Sequence, residues 1–323
     1  MATERILSPK AIPKSLWDSE KETLFMPRRL ADAYISLIES KGLRDLAAAR
    51  NASSSPVGGL TQEATDEHLA QSFDGSVARA LLAVLDPKSE VSSTSNSFLR
   101  ATAGNSACIT DAPCGAGAAT LALLCALAEL REANVLPRLP LKVAIVGGEI
   151  SQPAAAYARH LIDAIKPALL AQAISVEHTI IPWDVTCPIS TTDLITCAVQ
   201  NSQGSSGKLL VVANFSGFLE SHGNRAEAMP QLQELFRYAS GENSFAVWIE
   251  PRMKKVLNEN GLFSSFFKPF SKIWKKYVSK DARSLDDQSV FTSEASFERP
   301  LFSQTTAAVR LAVMPIDLQR SRS

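Results

Sequence analysis

From about residue 100 onward, short β-type runs return at nearly even spacing. They begin at residues 107, 142, 174, 208 and 245, so successive starts lie 32 to 37 residues apart. A strand followed by a helix and its return takes about 30 residues or more. The segments between the runs, 118–130, 153–165, 191–199 and 226–239, carry helical patterning. Two further β-type runs at 294–298 and 307–314 have no helix between them, which predicts an antiparallel hairpin at the sheet edge. The expected fold is therefore α/β: a seven-stranded, mostly parallel, doubly wound sheet with a terminal antiparallel hairpin.

The first hundred residues lack this alternation and read as an N-terminal helical region, 1–97, ahead of an α/β domain over 98–323. Over 24–46, Leu30, Ala33, Tyr34, Leu37 and Ile38 recur at helical spacing, and Gly42 is expected to end or interrupt that helix. Residues 51–59 are rich in Ser, Pro and Gly and read as a loop. A second helix is expected over 66–85, capped by Thr65 or Asp66 and stopped by Asp86-Pro87. Residues 88–96 are polar and Ser-rich and read as a connector.

Composition narrows the function classes. Lys plus Arg and Asp plus Glu both number 33 in 323 residues, which argues against a uniformly basic nucleic-acid binder and an acidic disordered chain. A hydrophobic share of 46% supports a sizeable core. Cys108, Cys114, Cys125, Cys187 and Cys197 form no Cys-x-x-Cys pair, so no metal site is expected. Their odd number and an N-terminus without an apolar signal segment imply a reducing, cytoplasmic compartment. No apolar run reaches the roughly 18 residues that cross a bilayer.

In an open α/β sheet, ligands bind at the carboxyl ends of the strands. The first strand ends in Asp111-Ala112-Pro113-Cys114-Gly115-Ala116-Gly117, where two glycines before a helix let backbone approach a ligand. The second ends in Gly148-Glu149-Ile150-Ser151, whose carboxylate suits a ribose diol. The third ends in Trp183-Asp184-Val185, with an acid for an adenine amino group and apolar neighbours for the ring. The fourth ends in Asn214-Phe215-Ser216-Gly217-Phe218, and the fifth in Glu250-Pro251.

This ordered set resembles the class I S-adenosylmethionine-dependent methyltransferases over residues 100–314. The 111–117 turn is similar to their first motif, Glu149 to their ribose-binding position, and Asp184 to their adenine-contacting position. Asn214 stands where the residue after their fourth strand faces the substrate. The resemblance implies S-adenosylmethionine as cofactor, held by Asp111, Pro113, Gly115, Gly117, Glu149, Ile150, Trp183, Asp184 and Val185. It further implies that Asn214 orients the methyl acceptor, with Phe215 stacking on it and Phe218 walling the pocket. Asn214 departs from the Asp or the longer Asn-Pro-Pro-aromatic motif of many members, which leaves the acceptor open. Pro113-Cys114 replaces a glycine of the simplest first motif.

Other readings of these residues stand beside this one. A dinucleotide fingerprint would want Gly or Ala where Thr120 stands, and an acid nearer to Gly117 than Glu149. The 204–208 segment lacks P-loop spacing, and Ser216 lacks the esterase elbow. Cys114 reads as a packing residue, and Trp183 and Asp184 could also fill the core and cap a helix. Of His68, His160, His178 and His222, only His222 falls near the strand ends.

Residues 251–280 carry eight cations against the single acid Glu259, interleaved with Phe263, Phe266, Phe267, Phe270, Trp274 and Tyr277. Cations that track phosphates and aromatics that stack on bases make this a candidate RNA-binding surface, with Lys272, Trp274, Lys275 and Lys276 as substrate contacts. A basic amphipathic helix for a membrane surface or a protein partner, or a lid with solvated lysines, has the same pattern. Two functions are thus in play: methyl transfer to RNA, a protein or a small molecule, or a catalytically idle subunit of the same fold acting as a scaffold.

Overall fold

The computed structural model describes residues 5–49, 59–221, 224–252 and 290–318. The basic aromatic segment from residue 253 on, with Lys272, Trp274, Lys275 and Lys276, lies outside the described residues, as does His222. In chain order the elements are β1 (Trp17–Asp18), β2 (Thr23–Phe25), α1 (Arg28–Ser40), α2 (Arg44–Ala48), α3 (Gln62–Leu85), α4 (Ser92–Ala101), β3 (Ser106–Asp111), α5 (Ala118–Glu132), β4 (Leu141–Gly148), α6 (Gln152–Ala171), β5 (Ile174–Ile181), α7 (Pro188–Asn201), β6 (Gly207–Ala213), α8 (Ser216–Ser221), α9 (Arg225–Ala239), β7 (Ser244–Pro251), β8 (Phe291–Glu298) and β9 (Thr306–Asp317).

All seven expected strands form, within a nine-stranded mixed sheet of order β1-β2-β8-β9-β7-β6-β3-β4-β5. β7, β6, β3, β4 and β5 run parallel, and β9 pairs antiparallel with both β7 and β8. Alternate strand residues point to opposite faces. Ile109, Leu209, Val211 and Val247 pack under α3, α4 and α5. Cys108, Leu210, Val212 and Trp248 pack under α7 and α9. The sheet is thus covered on both faces, which explains why its central strands are almost uniformly apolar.

Three expectations need correction. The N-terminal region is not only helical: β1 and β2 come from it, and β2 pairs parallel with β8, so the hairpin is not the sheet edge. Strands of two and three residues are too short to show alternation, and burial of Trp17 and Leu24 holds them. Residues 92–96 open α4 and do not form a connector. Ser95 donates to the Val84 carbonyl at 2.6 Å and Ser97 to that of Ser93 at 2.9 Å, while Phe98, Leu99 and Ala101 are buried. Tertiary packing there overrides the turn preference of serine. Finally, α3 starts a turn earlier than expected. Thr61 caps it by accepting from the Ala64 N–H, and Thr65 is buried inside it.

At its other end, α3 stops at Asp86, which has φ +45°. The 24-residue helix lies against α5 and reaches the hairpin, where Asp74 accepts from Arg299 Nε at 2.7 Å. The N-terminal helices and the sheet share one buried apolar cluster, from Leu30 and Tyr34 to Val143 and Val247.

Candidate functional site

The chain runs β3, β4, β5 to one side and then β6, β7 to the other, so the strand order reverses between β3 and β6. Crevices for ligands lie at the carboxyl ends of the strands at such a reversal. Asp111 is level with Gly147 and Val211, and Ala213 with Ile249, so the loops after β3, β4, β6 and β7 leave the sheet side by side.

The turn after β3 is built around two left-handed glycines, Gly115 with φ +52° and Gly117 with φ +82°. A side chain at Gly115 would meet open space. One at Gly117 would meet Leu121 Cδ1 at 3.2 Å. Gly117 is the N-cap of α5. Asp111 is buried beneath this turn: Oδ2 accepts from Thr120 Oγ1 at 2.7 Å, while Oδ1 has no hydrogen-bond partner among the described residues. Burial pushes its carboxyl up to about 7, against the pull of the Thr120 bonds and with a smaller push from Glu149. Pro113 is half-buried in the turn. Cys114 is buried against Gly147, and burial first, then Asp111 and Glu149, push its thiol well above its ordinary range. A thiol so held is a packing group.

Glu149 stands next to this turn. Its Oε2 accepts the Gly115 N–H at 2.8 Å and its Oε1 the Ser151 N–H at 2.8 Å. The carboxylate therefore ties the glycine turn to the N-terminus of α6, and each oxygen keeps a second lone pair. Burial raises its pKa, opposed by these backbone bonds. Ile150 beside it is 38% exposed. Ser151 caps α6 and meets Thr65 of α3 at 3.1 Å, hydroxyl to hydroxyl.

Trp183 is buried against Gly148. Its Nε1 donates to Thr191 Oγ1 at 3.1 Å, and its ring lies 6.0 Å from that of Phe215. Val185 is also buried. Asp184 is half-buried, and its Oδ1 accepts from the Thr186 N–H at 2.9 Å and hydroxyl at 2.7 Å. At this end of the candidate site Ile150 and Asp184 are accessible, while Trp183 and Val185 are buried behind them.

Asn214 follows β6 in the left-handed region, with φ +55°, which Asn tolerates better than most residues. Its Oδ1 accepts from Arg79 Nε of α3 at 2.9 Å. Phe215 is buried and stacks on half-buried Phe218, with ring centroids 5.5 Å apart and planes 7° from parallel. Behind them, fully buried Glu250 at the end of β7 accepts from the Phe215 and Ser216 N–H groups, the Ser216 hydroxyl and Trp248 Nε1, at 2.7 to 3.0 Å. Burial raises its pKa against these bonds. His68, also on α3, is half-buried, and burial and then Arg79 lower its pKa.

Of the residues expected from the sequence, the structure brings Asp111, Pro113, Gly115, Gly117, Glu149 and Ile150 together at one end, beside Trp183, Asp184 and Val185. Asn214, Phe215 and Phe218 stand at the other. Arg79 was missed, as were the parts that Thr65 of α3 and the strand-end residues Ser151 and Glu250 play in holding these loops. Arg79 did carry a signal, being the one charged residue between Asp74 and Asp86 in an apolar stretch.

No family model matches the chain, and no curated protein matches it either. Among solved structures, the chain is similar to a Listeria monocytogenes protein provisionally assigned as a class I S-adenosylmethionine-dependent methyltransferase, at 11% identity and a TM-score of 0.35. The match covers 82% of this chain and 71% of that one. At so low a TM-score the likeness does not bear on function.

Proposed function

We propose that this protein is an S-adenosylmethionine-dependent methyltransferase. The observation that carries the reading is the open, left-handed Gly115 backbone lying between two buried carboxylates, Asp111 and Glu149, at the strand-order reversal. The donor set fits such a cofactor. Gly115 and Gly117 allow close backbone approach, and the unpartnered Asp111 Oδ1 offers an acceptor for a cationic or N–H group. Pro113 shapes that turn. Glu149 would accept from ribose hydroxyls through its second lone pairs. Ile150, Asp184 and Val185 would take the base, with Trp183 beneath. When bound, the cofactor supplies an activated methyl group. The protein's part is proximity and orientation, so no fixed acid–base pair is required. Asn214 and Phe215 would orient the acceptor and Phe218 would wall the site.

RNA as acceptor rests on the 251–280 sequence alone, through Lys272, Trp274, Lys275 and Lys276. Its mark would be RNA affinity that falls steeply with salt. A cytoplasmic location would suit that acceptor.

A second reading, a catalytically idle scaffold, is favoured by one observation: both Glu149 oxygens already accept backbone bonds. Calorimetric titration with S-adenosylmethionine separates the two. The enzyme reading expects micromolar affinity. No binding by folded protein would overturn it in favour of the scaffold.

A further inference from the structure

The hydrogen bond between Arg79 and Asn214 fixes more than a rotamer. A guanidinium has donors only, so the Asn214 atom facing it must be the amide oxygen. The Asn214 side chain is thereby held by a charge-assisted bond at 2.9 Å with its oxygen committed to Arg79, which leaves the –NH2 as its remaining polar group. Arg79 is itself braced, its Nη2 donating to Ser76 Oγ at 3.1 Å. Among the described residues, no hydrogen bond from the Asn214 amide nitrogen accompanies this arrangement, and Asn214 is half-buried. The residue after β6 therefore offers a donor, reinforced by a cation one bond behind it.

We propose that Arg79, acting through Asn214, sets this end of the crevice for an acceptor molecule that presents a carbonyl or carboxylate oxygen, and against one that presents an amine. An oxygen lone pair can take the Asn214 N–H. A protonated amine, the form benzylamine takes near neutral pH, has donors only and would set its N–H groups against a donor. The same field already acts on His68, whose imidazole is held toward its neutral form by burial and then by Arg79. This inference rests on the methyltransferase reading for the word acceptor, but the polarity of the site does not depend on it. Arg79 is a positioning residue here, and Asn214 is the contact.

The test is calorimetry with benzoate and benzylamine, two probes of like shape that differ in the polar group and can stack on Phe218. Each is titrated with and without saturating S-adenosylhomocysteine. The expected result is benzoate binding about tenfold or more tighter than benzylamine, the factor one hydrogen bond of this kind is worth. Arg79→Gln, whose side chain can both donate and accept, should shrink that ratio toward one. Asn214→Asp keeps the left-handed backbone and replaces the donor by an acceptor, so it should reverse the ratio. If Arg79→Gln fails to fold, Asn214→Asp alone decides. Equal or preferred benzylamine binding by the wild type, binding of neither probe, or an unchanged ratio in Asn214→Asp would overturn the proposal. A benzoate preference in protein that does not bind S-adenosylhomocysteine would leave the polarity standing and sink the methyltransferase reading instead.

Discussion

The two ends of the candidate site are built in different ways. At the β3–β4 end, the polar contacts lie close to the motif itself: Thr120 reaches Asp111 across nine residues, and Ser151 reaches Glu149 across two. At the β6 end they are remote. Arg79 reaches Asn214 across 135 residues, and Ser216 reaches Glu250 across 34. The first end is therefore largely a local device that a short stretch of sequence can specify, with two longer ties, Glu149 to Gly115 and Ser151 to Thr65. The second exists only when α3, β6 and β7 have come together. Damage at the second end should therefore leave the first able to bind its ligand, and damage at the first should weaken binding directly.

Glu250→Ala should have the largest effect on stability. It strips the acceptor from several buried donors, each worth about 1–3 kcal/mol when left unpaired. Urea unfolding should show a loss of about 3 kcal/mol or more, while cofactor affinity at low urea stays near that of the wild type. A parallel loss of affinity would break the separation between the two ends.

Glu149→Ala comes next. A hydrogen bond to a charged group contributes about 1.5–3 kcal/mol, so cofactor affinity should fall roughly ten- to a hundredfold. Glu149→Gln should fall less, because it still accepts one backbone N–H. Unchanged affinity in both folded variants, measured by calorimetry, would remove the ribose assignment.

Gly115→Ala sharpens the comparison further. Its Cβ meets open space, so the stability cost is only that of φ +52°, about 1–2 kcal/mol. Affinity should drop about tenfold or more if the backbone there must touch a ligand. Gly117→Val is a poorer probe, because its side chain also meets Leu121 and Ala158. Equal affinity in wild type and Gly115→Ala would show that the turn is only a connector.

The smallest effect is a pH slope. Asp111 has an ordinary value of 3.8 and is raised to about 7 by burial, so the folded state binds more protons in that window. Stability contributed by this group therefore falls as pH rises from about 4 to about 7, by at most about 1.4 kcal/mol per pH unit. Glu149 and Glu250 shift in the same direction, so the informative quantity is wild type minus Asp111→Asn. That difference should shrink steadily across the window in urea titrations. A flat difference would mean that Asp111 stays ionised in the folded protein.

How much of this could be read from sequence divides in the same way. β5 was expected over the residues it occupies, and the other long strands to within a few residues at either end, because each is an apolar or alternating run between turn signals. β1 and β2 were invisible, since their pairing partner β8 lies at the far end of the chain. α4 was missed because its serines are turn formers until α3 supplies the Val84 carbonyl. The glycine turn and Glu149 were legible from motif order alone. The use of Glu149 as a backbone tie was not, because nothing in the sequence says which N–H points at it. Arg79 looked like a stray charge on an apolar helix, and only β6 gives it a purpose.

The pairing of β2 with β8 has a consequence for how the chain is made. Thr23 is opposite Ser296, so about 270 residues must be synthesised between the two partners. At about 5–20 residues per second, Leu16, Trp17 and Leu24 wait from about a quarter of a minute to nearly a minute before the strand that pairs with β2 leaves the ribosome. During that interval β2 has no partner on its β8 side, and these three apolar side chains lack the neighbours that bury them in the finished fold. Chaperone occupancy early in translation, and yield on truncation before residue 298, should be more sensitive to these few residues than their small share of the finished sheet would imply.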